Sequence, residues 1–397
     1  MIRVFGITGT NGKTTASCML REILEAESGA CGLIGTIWHQ IGEKRYVPIN
    51  TTPGKELLKD LFHEMKEQKI SQCVMEVSSH GIHQGRIEEI QIAYGGFTNL
   101  SQDHLDYHET MEAYYQVKKR LFSKCQAGAA INLDDAYGKR LYQELDEDSR
   151  VPDLKSYSLR DPKADFYGEV LEETLEGSTF LFSEKGQVLG KLKTHMPGEH
   201  FVYDAVLAAA MARQSGTGFS SIQEGLLGLK KVPGRMELIG SMEDTLGVVD
   251  YAHTPDGLEK LLSSLVRFKR GKLLCVFGCG GFRDKGKRPL MGEIAGTYSD
   301  YCVVTNDNPR GEPPENICQA IEEGLYPTGC QYTVIFDRYQ AIKKAVFLAD
   351  KWDIIVVAGK GHEAYQLSGD KKLPFDDRRV LRELLEKKYE KTYNETN

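Results

Sequence analysis

Residues 4–15 are the stretch whose residue types and spacing most clearly suit chemistry, and they read Val-Phe-Gly-Ile-Thr-Gly-Thr-Asn-Gly-Lys-Thr-Thr. The apolar start predicts a buried strand, and the three glycines permit positive φ, so that backbone N–H groups can approach an anion closely. Lys13 and Thr14 then open a predicted helix, whose N-terminus favours negative charge. In such a cradle the lysine reaches the terminal phosphates of a nucleotide, and the threonine hydroxyl binds Mg²⁺. The predicted phosphate cradle consists of Gly9, Thr10, Asn11, Gly12, Lys13, Thr14 and Thr15.

The cradle departs from the common P-loop pattern at one position. That pattern places a glycine five residues before the Gly-Lys pair, whereas Ile7 stands there and the glycines are Gly6 and Gly9. The alternative interpretation is a glycine-rich turn between strand and helix that binds no ligand. The Gly-Lys-Thr triplet directly after an apolar run favours the phosphate cradle.

A second polar group follows the predicted strand at residues 70–77. The end of this strand carries Glu76, and Ser78, Ser79 and His80 come directly after it. Open α/β sheets bind ligands outside the carboxyl ends of their strands, so we expect Glu76 to lie on the same edge of the sheet as the cradle. The alternative is a capping or surface glutamate.

A third polar group, residues 101–108, follows a predicted strand at residues 95–100. It contains two histidines, His104 and His108, and two aspartates within six residues. A helix is predicted over residues 110–124, and it carries Lys118 beside two further basic residues. Lysine is seldom fully buried, so a solvated basic face is the alternative interpretation of Lys118.

The elements that must position these groups alternate between strand and helix, which predicts a doubly wound parallel sheet. A strand is predicted at 32–38, short alternating segments at 151–194 predict a small antiparallel appendage, and Pro and Gly at 229–234 mark a hinge. A second α/β unit follows, with strands predicted at 246–250, 273–278, 301–305 and 354–358. We therefore predict a P-loop-type ATPase domain over residues 1–233 and a Rossmann-like domain over residues 234–397.

The composition is typical of a globular protein outside the membrane. Of the 397 residues, 41% are hydrophobic and 27% charged, and no apolar run approaches the roughly 20 residues that a membrane span needs. The formal net charge of −7 argues against nucleic acid as a partner. The N-terminus has no signal-peptide pattern, so we expect a cytoplasmic protein. The nine cysteines form no CxxC pairs, and we expect reduced, mostly buried thiols and no zinc site.

The sequence resembles the Mur ligases, the ATP-dependent amino-acid ligases of peptidoglycan synthesis in the bacterial cell wall. Within that family it is most similar to the MurE branch, which adds the third peptide residue to UDP-N-acetylmuramoyl-dipeptide. The resemblance covers nearly the whole chain, and the joint order of the separate motifs makes coincidence very improbable. The motifs are residues 8–15, 75–81, 97–108, 234–237 (Gly-Arg-Met-Glu), 249–255, 277–289, 307–310 and 358–363.

The resemblance implies carboxylate activation by ATP to an acyl phosphate, which an amine then attacks to form an amide. It implies that Lys13 acts on the phosphates, that Thr14 and Glu76 bind Mg²⁺, and that His104 contributes to a second metal position. Lys118 matches the family's carbamylated lysine, in which CO₂ turns the amine into an anionic oxygen ligand. Arg235 and Asp250 match residues that close over the nucleotide, on its phosphates and on its ribose or hydration shell. The alternative for this last pair is an interdomain salt bridge.

The resemblance also implies an amino-acid pocket in the second domain. The motif Asp-Asn-Pro-Arg at 307–310 has the form associated with meso-diaminopimelate, and Arg310 can pair with the distal carboxylate that lysine lacks. The remaining pocket positions are Arg283, Asp307, Asn308, Gly359 and Glu363, where Glu363 can pair with the distal ammonium. The acceptor positions are Thr51, Thr52, Ser78 and Arg86. An ordinary Asn-Pro turn and a glycine loop are the alternative interpretation of the pocket.

Three features depart from the family pattern. Typical members carry an N-terminal domain that binds the uridine nucleotide, and because the cradle begins at Gly6 we expect that domain to be absent here. The acceptor then lacks UDP, is presented by a partner protein, or is a weakly bound UDP-substrate. Phe201 and Asp204 stand where the family usually has Asn, one of which helps to hold adenine, and Phe282 replaces a common acidic residue.

Two other functions compete with a MurE-like ligase. One is a ligase of the same superfamily that acts on another carboxylate, such as a folylpolyglutamate-type or specialised-metabolite substrate. The other is a nucleotide-binding pseudoenzyme that regulates cell-wall synthesis. The retained Lys13, Thr14, Glu76, His104 and Lys118 argue against the pseudoenzyme.

Overall fold

The structure is a computed structural model, and it describes residues 2–241 and 243–396, with side chains as far as residue 390. The chain divides into two compact units. The first comprises Met1–Ser101 and His108–Lys230, and the second comprises Gln102–Tyr107 and Lys231–Asn397. None of the described helices combines the length and the apolar composition that a membrane crossing requires.

The first part of the chain alternates strands and helices and then runs through four consecutive strands before two final helices. Its elements are β1 (Arg3–Thr8), α1 (Lys13–Ser28), β2 (Gly32–Ile34), β3 (His39–Ile41), β4 (Lys44–Tyr46), α2 (Lys55–Glu67), β5 (Gln72–Glu76), α3 (Ser79–His83), β6 (Ile92–Phe97), α4 (Leu105–His108), α5 (Met111–Lys119), a 3₁₀ turn (Phe122–Lys124), β7 (Cys125–Asn132), α6 (Ala136–Asp148), β8 (Leu154–Ser158), β9 (Phe166–Thr174), β10 (Gly177–Glu184), β11 (Gln187–Thr194), α7 (Glu199–Gln214) and α8 (Phe219–Gly228).

Within the described residues, these eleven strands form one sheet in the order β11-β10-β9-β8-β7-β6-β1-β5-β2-β3-β4. The centre is parallel, and strand β1 pairs with β5 on one side and β6 on the other. Its residues Val4, Phe5 and Ile7 are buried because helices cover both faces of a doubly wound sheet. The two edges of the sheet are antiparallel. The doubly wound parallel sheet predicted from the sequence is confirmed.

The second unit repeats the alternation over a smaller sheet. Its elements are β12 (Glu237–Gly240), β13 (Leu246–Asp250), α9 (Pro255–Val266), β14 (Leu273–Phe277), α10 (Lys287–Tyr298), β15 (Tyr301–Val304), α11 (Pro314–Leu325), a 3₁₀ turn (Tyr326–Thr328), β16 (Gln331–Val334), α12 (Arg338–Leu348), β17 (Ile354–Ala358), β18 (Tyr365–Ser368), β19 (Lys371–Pro374) and α13 (Asp377–Thr396).

Six of these strands form a sheet in the order β12-β13-β17-β14-β15-β16, in which only the β12–β13 pair is antiparallel. The strands β13, β14 and β17 are buried along their whole length, which matches the continuous apolar runs of a parallel sheet covered on both faces. This confirms the predicted Rossmann-like unit. Strands β18 and β19 form a separate hairpin.

Several local predictions need correction, among them the strand predicted over 95–100, which is Ile92–Phe97. Strand β2 ends at Ile34, so the predicted strand over 32–38 is too long, and Thr36 lies in a bend. The helix predicted over 110–124 is α5 followed by a separate 3₁₀ turn. The predicted appendage is an extension of the main sheet, because β8 and β9 continue it in parallel before β10 and β11 turn antiparallel.

Candidate functional site

The turn between β1 and α1 has the backbone of an anion cradle. Gly9 has φ 147° and Gly12 has φ 87°, and Gly12 is the N-cap of α1. A Cβ on Gly9 would lie 1.8 Å from Thr98 Oγ1, and one on Gly12 would lie 2.2 Å from Asp204 Oδ1. Both positions therefore require glycine, for conformation and for space. Gly6 lies in the extended strand β1 without a positive φ, which corrects its predicted role in the turn.

The tip of the cradle is hydrogen-bonded to the two residues that follow β6 and contacts a tyrosine of α5. The Asn11 N–H donates to Asn99 Oδ1 at 3.0 Å, and Thr98 Oγ1 donates to the Asn11 carbonyl oxygen at 2.6 Å. Thr10 Oγ1 lies 3.3 Å from the hydroxyl of Tyr114. These bonds hold the loop in one shape before any ligand arrives, which is the preorganisation that electrostatic stabilisation needs.

Two lysines converge on one carbonyl oxygen of the cradle. Lys13 Nζ donates to the Gly9 oxygen at 2.9 Å and to the Thr10 oxygen at 2.9 Å. Lys118 Nζ donates to the same Gly9 oxygen at 2.7 Å. Lys118 is 1% exposed and its ammonium lies 4.6 Å from the ring centroid of Tyr114, so the solvated-face alternative for this lysine is wrong.

Glu76 lies directly beside the cradle, as the parallel register of β1 and β5 requires, since Ile7 pairs with Glu76. Its carboxylate accepts hydrogen bonds from Thr14 Oγ1 at 2.8 Å, from the Thr36 N–H at 2.7 Å and from Thr36 Oγ1 at 2.8 Å. Glu76 is 1% exposed. A Cβ on Gly35 would lie 2.4 Å from Glu76 Oε1, so a glycine is needed where this carboxylate packs.

The four predicted acceptor residues are gathered around Glu76. Thr52 Oγ1 donates to the Glu76 carbonyl oxygen at 2.9 Å and accepts from the Ser78 N–H at 2.9 Å. Arg86 Nη1 donates to the Thr52 carbonyl oxygen at 2.7 Å. Thr51 Oγ1 lies 3.0 Å from Thr36 Oγ1, which itself donates to Glu76. The structure thus brings Thr51, Thr52, Ser78 and Arg86 into one hydrogen-bonded cluster. Thr36 links Thr51 to Glu76 beside the cradle, and no motif in the sequence marks this residue.

The oxygen donors beside the cradle fit a magnesium ion. Thr14 Oγ1 and the Glu76 carboxylate are hard oxygen ligands of the kind that Mg²⁺ prefers. In the part of the chain that the structure describes, no group of three or more His, Cys, Asp or Glu side chains is arranged to hold a metal ion. Mg²⁺ usually takes one or two carboxylates together with substrate phosphates and water, so the donors present suffice for an ion that binds with a nucleotide.

Helix α7 places an acidic side chain against the cradle. Asp204 is buried and its Oδ1 packs on Gly12, while Phe201 is also buried and its ring lies 4.1 Å from that of His200. The two positions that depart from the family pattern therefore lie on one helix, and one of them touches the phosphate loop. An ionised aspartate only accepts hydrogen bonds, whereas an asparagine also donates them. The contacts that this position offers to a nucleotide therefore differ from those of family members that have Asn there.

The predicted amino-acid residues of the second unit lie on loops that follow β14, β15 and β17. Asn308 Nδ2 donates to Glu363 Oε2 at 2.9 Å, and Lys360 Nζ donates to Asn308 Oδ1 at 3.1 Å and to Glu363 Oε2 at 2.9 Å. We call Asn308, Lys360 and Glu363 the amide–carboxylate cluster. Lys360 was not predicted as a site residue, because a lysine between two glycines looks like an ordinary loop.

Two arginines meet beside this cluster. A Cβ on Gly280 would lie 2.8 Å from Arg310 Nη1 and 3.5 Å from Arg283 Cγ, so both side chains pack over that glycine. Arg310 Nη1 donates to the carbonyl oxygens of Gly281 at 3.1 Å and Asn308 at 3.3 Å. Burial and the neighbouring Arg283 lower the pKa of Arg310. This is a region of positive potential suited to a carboxylate ligand.

Asp307 adds a buried carboxylate at the same loops. It is 9% exposed, and among the described residues its Oδ2 has no hydrogen-bond partner. That oxygen packs on Gly359, where a Cβ would lie 2.7 Å away and where φ is 113°. Gly359 therefore makes room for Asp307. The structure brings Arg283, Asp307, Asn308, Arg310, Gly359 and Glu363 together, although their roles toward a ligand stay predictions.

Arg235 and Asp250 lie close to each other in the second unit. Asp250 accepts the N–H of Met236 at 2.6 Å and the N–H of Ala252 at 2.7 Å, so each of its oxygens already binds the backbone. Burial raises the pKa of Asp250, although the Arg235 guanidinium acts in the opposite direction. Arg235 Cζ lies 4.8 Å from the ring centroid of Tyr251. Asp250 thus fixes the turn that presents Arg235.

His104 belongs to the short segment that groups with the second unit. Its Nε2 lies 3.3 Å from Asp103 Oδ2, and His253 Nε2 lies 3.5 Å from the same oxygen. Lys287 Nζ donates to Asp103 Oδ1 at 3.1 Å, and both side chains are 6% exposed. Burial would raise the pKa of Asp103, but Lys287, His104 and His253 hold it well below its usual range. The sequence did not single out Asp103 or Lys287, because only the fold brings them together.

The sequence is similar to known families along most of its length. Residues 7–212 match the Mur ligase middle domain, and residues 234–361 match the family described as Mur ligase, glutamate ligase domain. A relative in Clostridium acetobutylicum, UDP-N-acetylmuramoyl-L-alanyl-D-glutamate--2,6-diaminopimelate ligase 1, is 43% identical over 386 residues, which are 97% of this chain and 78% of the relative. The ligase of the same name in Clostridium tetani is 42% identical over 391 residues, which are 98% of this chain and 78% of that protein.

The fold has a matching solved structure. A structure of a UDP-N-acetylmuramoyl-L-alanyl-D-glutamate--2,6-diaminopimelate ligase aligns with a TM-score of 0.67 and 36% identity, covering 98% of this chain and 79% of the other. Both family matches lie on α/β units that the structure describes, and the middle-domain match alone covers the cradle, Glu76 and Lys118. The chain belongs to the Mur ligase family, whose members are ATP- and Mg²⁺-dependent ligases that form peptide bonds.

Proposed function

We propose that this ligase joins meso-diaminopimelate, or a related diamino acid, to the carboxylate of a muramoyl-peptide-like acceptor. The proposal rests on one observation: positively and negatively charged side chains lie close together in one loop region of the second unit. The Arg310 guanidinium lies beside Arg283, and the carboxylates of Asp307 and Glu363 come from the same loops. A diamino acid whose far end bears both a carboxylate and an ammonium matches these charges. The relatives from C. acetobutylicum and C. tetani are named for 2,6-diaminopimelate.

The reaction proceeds in two steps. The acceptor carboxylate takes the γ-phosphoryl group of ATP, which gives an acyl phosphate and ADP. The amine of the amino acid then attacks the acyl carbon, the amide bond forms, and inorganic phosphate leaves. Phosphoryl transfer needs positioning and charge neutralisation more than covalent help from the protein.

The cradle supplies the positioning on the nucleotide side. Its backbone N–H groups and Lys13 hold the phosphates, as the positive φ of Gly9 and Gly12 permits. Thr14 and Glu76 would hold Mg²⁺, and His104 would add to a second metal position. When bound, the ion neutralises charge on the phosphoryl group. We assign Arg235 to the phosphates and Asp250 to the ribose or its hydration shell.

Lys118 is proposed to act as a carbamate. Its burial and its position 2.7 Å from the Gly9 oxygen support this, because a carbamate keeps one N–H for that bond and adds two anionic oxygens near the cradle. A free ammonium would repel a metal ion at short range, whereas carbamate oxygens are hard ligands. Formation of the carbamate from the Lys118 ammonium consumes one CO₂ and releases two protons, one when the amine is deprotonated and one when its nitrogen bonds to the CO₂ carbon.

We assign residues 1–233 as the central ATP-binding domain and residues 234–397 as the C-terminal amino-acid-binding domain. Thr51, Thr52, Ser78 and Arg86 are the proposed acceptor contacts, supported by their shared hydrogen-bond network around Glu76. The cluster offers hydroxyl groups and one guanidinium, which suit the carbonyl and carboxylate groups of a peptide acceptor.

One assay tests the function. Purified protein is incubated with ATP, Mg²⁺, a panel of amino acids, and muramoyl-peptide acceptors with and without UDP, and both phosphate release and product mass are measured. We expect release that requires an acceptor and an amine together, with a product that contains diaminopimelate. Absence of acceptor-dependent release across the panel would overturn the muramoyl-peptide assignment.

A further inference from the structure

A fully buried lysine lies inside the proposed amino-acid site. Lys360 is 0% exposed and stands between Gly359, with φ 113°, and Gly361, with φ 50°. Burying an ammonium group costs several kcal/mol unless it is paired and hydrogen-bonded. A buried lysine in this loop must therefore have hydrogen-bond acceptors nearby. Which residues provide those acceptors indicates the function of the lysine.

The partners of Lys360 are two residues of the proposed amino-acid pocket. Its Nζ donates to Asn308 Oδ1 at 3.1 Å and to Glu363 Oε2 at 2.9 Å. The ammonium also lies 5.5 Å from the ring centroid of Tyr365. The Lys360 ammonium makes two hydrogen bonds, lies near an aromatic ring and is fully buried. Its contacts are therefore with other residues of the protein, and it does not reach a ligand.

The hydrogen bonds fix which way the Asn308 amide points. Its Oδ1 accepts from Lys360 Nζ and also from the Leu367 N–H at 2.8 Å. A flipped amide would set its NH₂ group against two donors, so the NH₂ group must face Glu363 Oε2, which it does at 2.9 Å. Lys360 and Leu367 together therefore lock the amide.

The same hydrogen bonds give the two oxygens of the Glu363 carboxylate different roles. Oε2 accepts from both Lys360 and Asn308. In the described residues, the hydrogen bonds and the ion pair given for the Glu363 side chain all end on Oε2, and that side chain is 16% exposed. One oxygen thus serves the protein and the other is available to a ligand donor such as an ammonium group.

We propose that Lys360 is a positioning residue for the amino-acid site, which acts with Asn308 to orient the Glu363 carboxylate toward the far ammonium of a diamino acid and does not itself touch the ligand. This inference rests on the proposed function, because it concerns the same pocket. Lys360 also offsets part of the negative charge of Glu363. Misplacing a binding group by about 1 Å can cost about 100-fold in rate.

Steady-state kinetics of Lys360→Met tests the proposal, since Met keeps much of the volume and removes both hydrogen bonds. We expect the KM for the amino acid to rise about 10- to 100-fold while the KM for ATP stays within about twofold. The matched control is Lys371→Met, at an exposed position in β19, which should match the wild type. Equal rises in both KM values, or a fall in kcat alone, would assign Lys360 to the nucleotide or the chemical step and overturn the proposal.

A double-mutant cycle asks whether Lys360 acts through Glu363. Because both belong to one hydrogen-bonded unit, the combined loss of Lys360→Met and Glu363→Gln should fall well below the product of the single losses. Multiplicative losses would show independent action and contradict the inference. If Lys360→Met does not fold, Asn308→Asp tests the same geometry: it keeps the oxygen that Lys360 and Leu367 bind and removes the donor to Glu363, and it should raise the same KM.

A readout without turnover separates this inference from the proposed function. In protein labelled with ¹⁵N-asparagine, the Asn308 side-chain NH₂ signals, assigned by their loss in Asn308→Asp, should be protected from exchange in wild type and lose that protection in Lys360→Met. Unchanged protection would overturn the positioning role. Should the wild type prefer an amino acid other than diaminopimelate, the substrate assignment fails while the amide signals still decide the role of Lys360.

Discussion

Lys13 and Lys118 donate hydrogen bonds to the same acceptor, the carbonyl oxygen of Gly9, at 2.9 and 2.7 Å. Two ammonium groups that share one oxygen repel each other, so the arrangement is stabilised when one of them loses its charge or gains an anion. A nucleotide phosphate supplies an anion for Lys13. Conversion to a carbamate removes the positive charge of Lys118 and retains an N–H for Gly9. The geometry thus gives a physical reason why a lysine modified by CO₂ suits this position.

The first prediction concerns Lys118. We expect Lys118→Ala to lower ligase activity at least about 100-fold, because it removes a proposed oxygen ligand from the cradle. Wild-type activity should fall in CO₂-depleted buffer and return when bicarbonate is added. Lys119→Ala is the control, since Lys119 pairs with Glu144 at 2.7 Å and should tolerate the change. Full activity of Lys118→Ala in bicarbonate-free buffer would remove the carbamate from the mechanism.

The second prediction concerns Glu76. Glu76→Gln keeps a side chain of the same size but removes the negative charge beside Thr14. We expect a loss of activity of about 100-fold or more and a higher Mg²⁺ concentration for half-maximal rate, measured by Mg²⁺ titration. Glu64→Gln, at a position that pairs with Lys44, is the control. An unchanged Mg²⁺ requirement would exclude Glu76 as a ligand.

The third prediction compares two glycines with similar backbone conformations. Gly12 has φ 87° and Gly29 has φ 79°, but a Cβ on Gly12 would lie 2.2 Å from Asp204 Oδ1, whereas nothing lies within 4 Å of one on Gly29. Gly29→Ala should therefore cost about 1 kcal/mol of unfolding free energy, from backbone strain alone. Gly12→Ala should cost about 2 to 4 kcal/mol and weaken ATP binding. Urea unfolding and nucleotide titration measure the two effects, and equal costs would contradict the packing described for Gly12.

The fourth prediction concerns pH and His39. Burial lowers the pKa of His39 to about 4, and within the described residues neither ring nitrogen has a hydrogen-bond partner. The unfolded chain takes up a proton near the ordinary pKa of 6.5, while the folded chain does so only near 4. The free energy of unfolding should therefore decrease as pH falls from 6.5 to 4.

A single substitution tests that pH dependence. His39→Leu should remove this contribution and stabilise the protein at pH 5 by about 1 to 2 kcal/mol relative to its effect at pH 7. His63→Leu, at an exposed site next to Glu67, is the matched control for the replacement of a histidine by leucine. Urea unfolding at several pH values provides the measurement. Parallel pH profiles for wild type and His39→Leu would show that His39 does not titrate as described.

Much of the nucleotide side of the site follows from sequence alone. Glu76 and the cradle were predicted to share an edge of the sheet, and the parallel register of Ile7 with Glu76 confirms it. The position of strand β6 was predicted less well from the sequence. The predicted strand covers residues 95–100, whereas the strand in the structure is Ile92–Phe97. The glycines at 95 and 96 looked like a strand start, but they lie mid-strand, where a Cβ would meet Cys125 Sγ at 2.5 Å and Met211 Sδ at 2.6 Å.

The supporting residues could not be predicted, since their roles depend on contacts between distant parts of the chain. Thr36 matters because it donates twice to Glu76, and Lys360 because it holds Asn308 and Glu363. Neither of these contacts could be recognised from a periodic pattern or a motif in the sequence. Asp204 was noticed only as a departure from the family, and its packing on Gly12 became visible in the fold.

We propose that Arg310 and its neighbours select a diamino acid with a distal carboxylate, and a one-pot competition between two amino acids measures that selection. Equimolar meso-diaminopimelate and L-lysine are offered with ATP, Mg²⁺ and a muramoyl-peptide acceptor, and the ratio of the two products is measured by mass. We expect the diaminopimelate product to exceed the lysine product by about 100-fold or more in wild type, and the ratio to collapse in Arg310→Ala. Equal amounts of the two products in wild type would show that the pocket does not select for a distal carboxylate, and a ratio unchanged in Arg310→Ala would show that Arg310 does not make that selection.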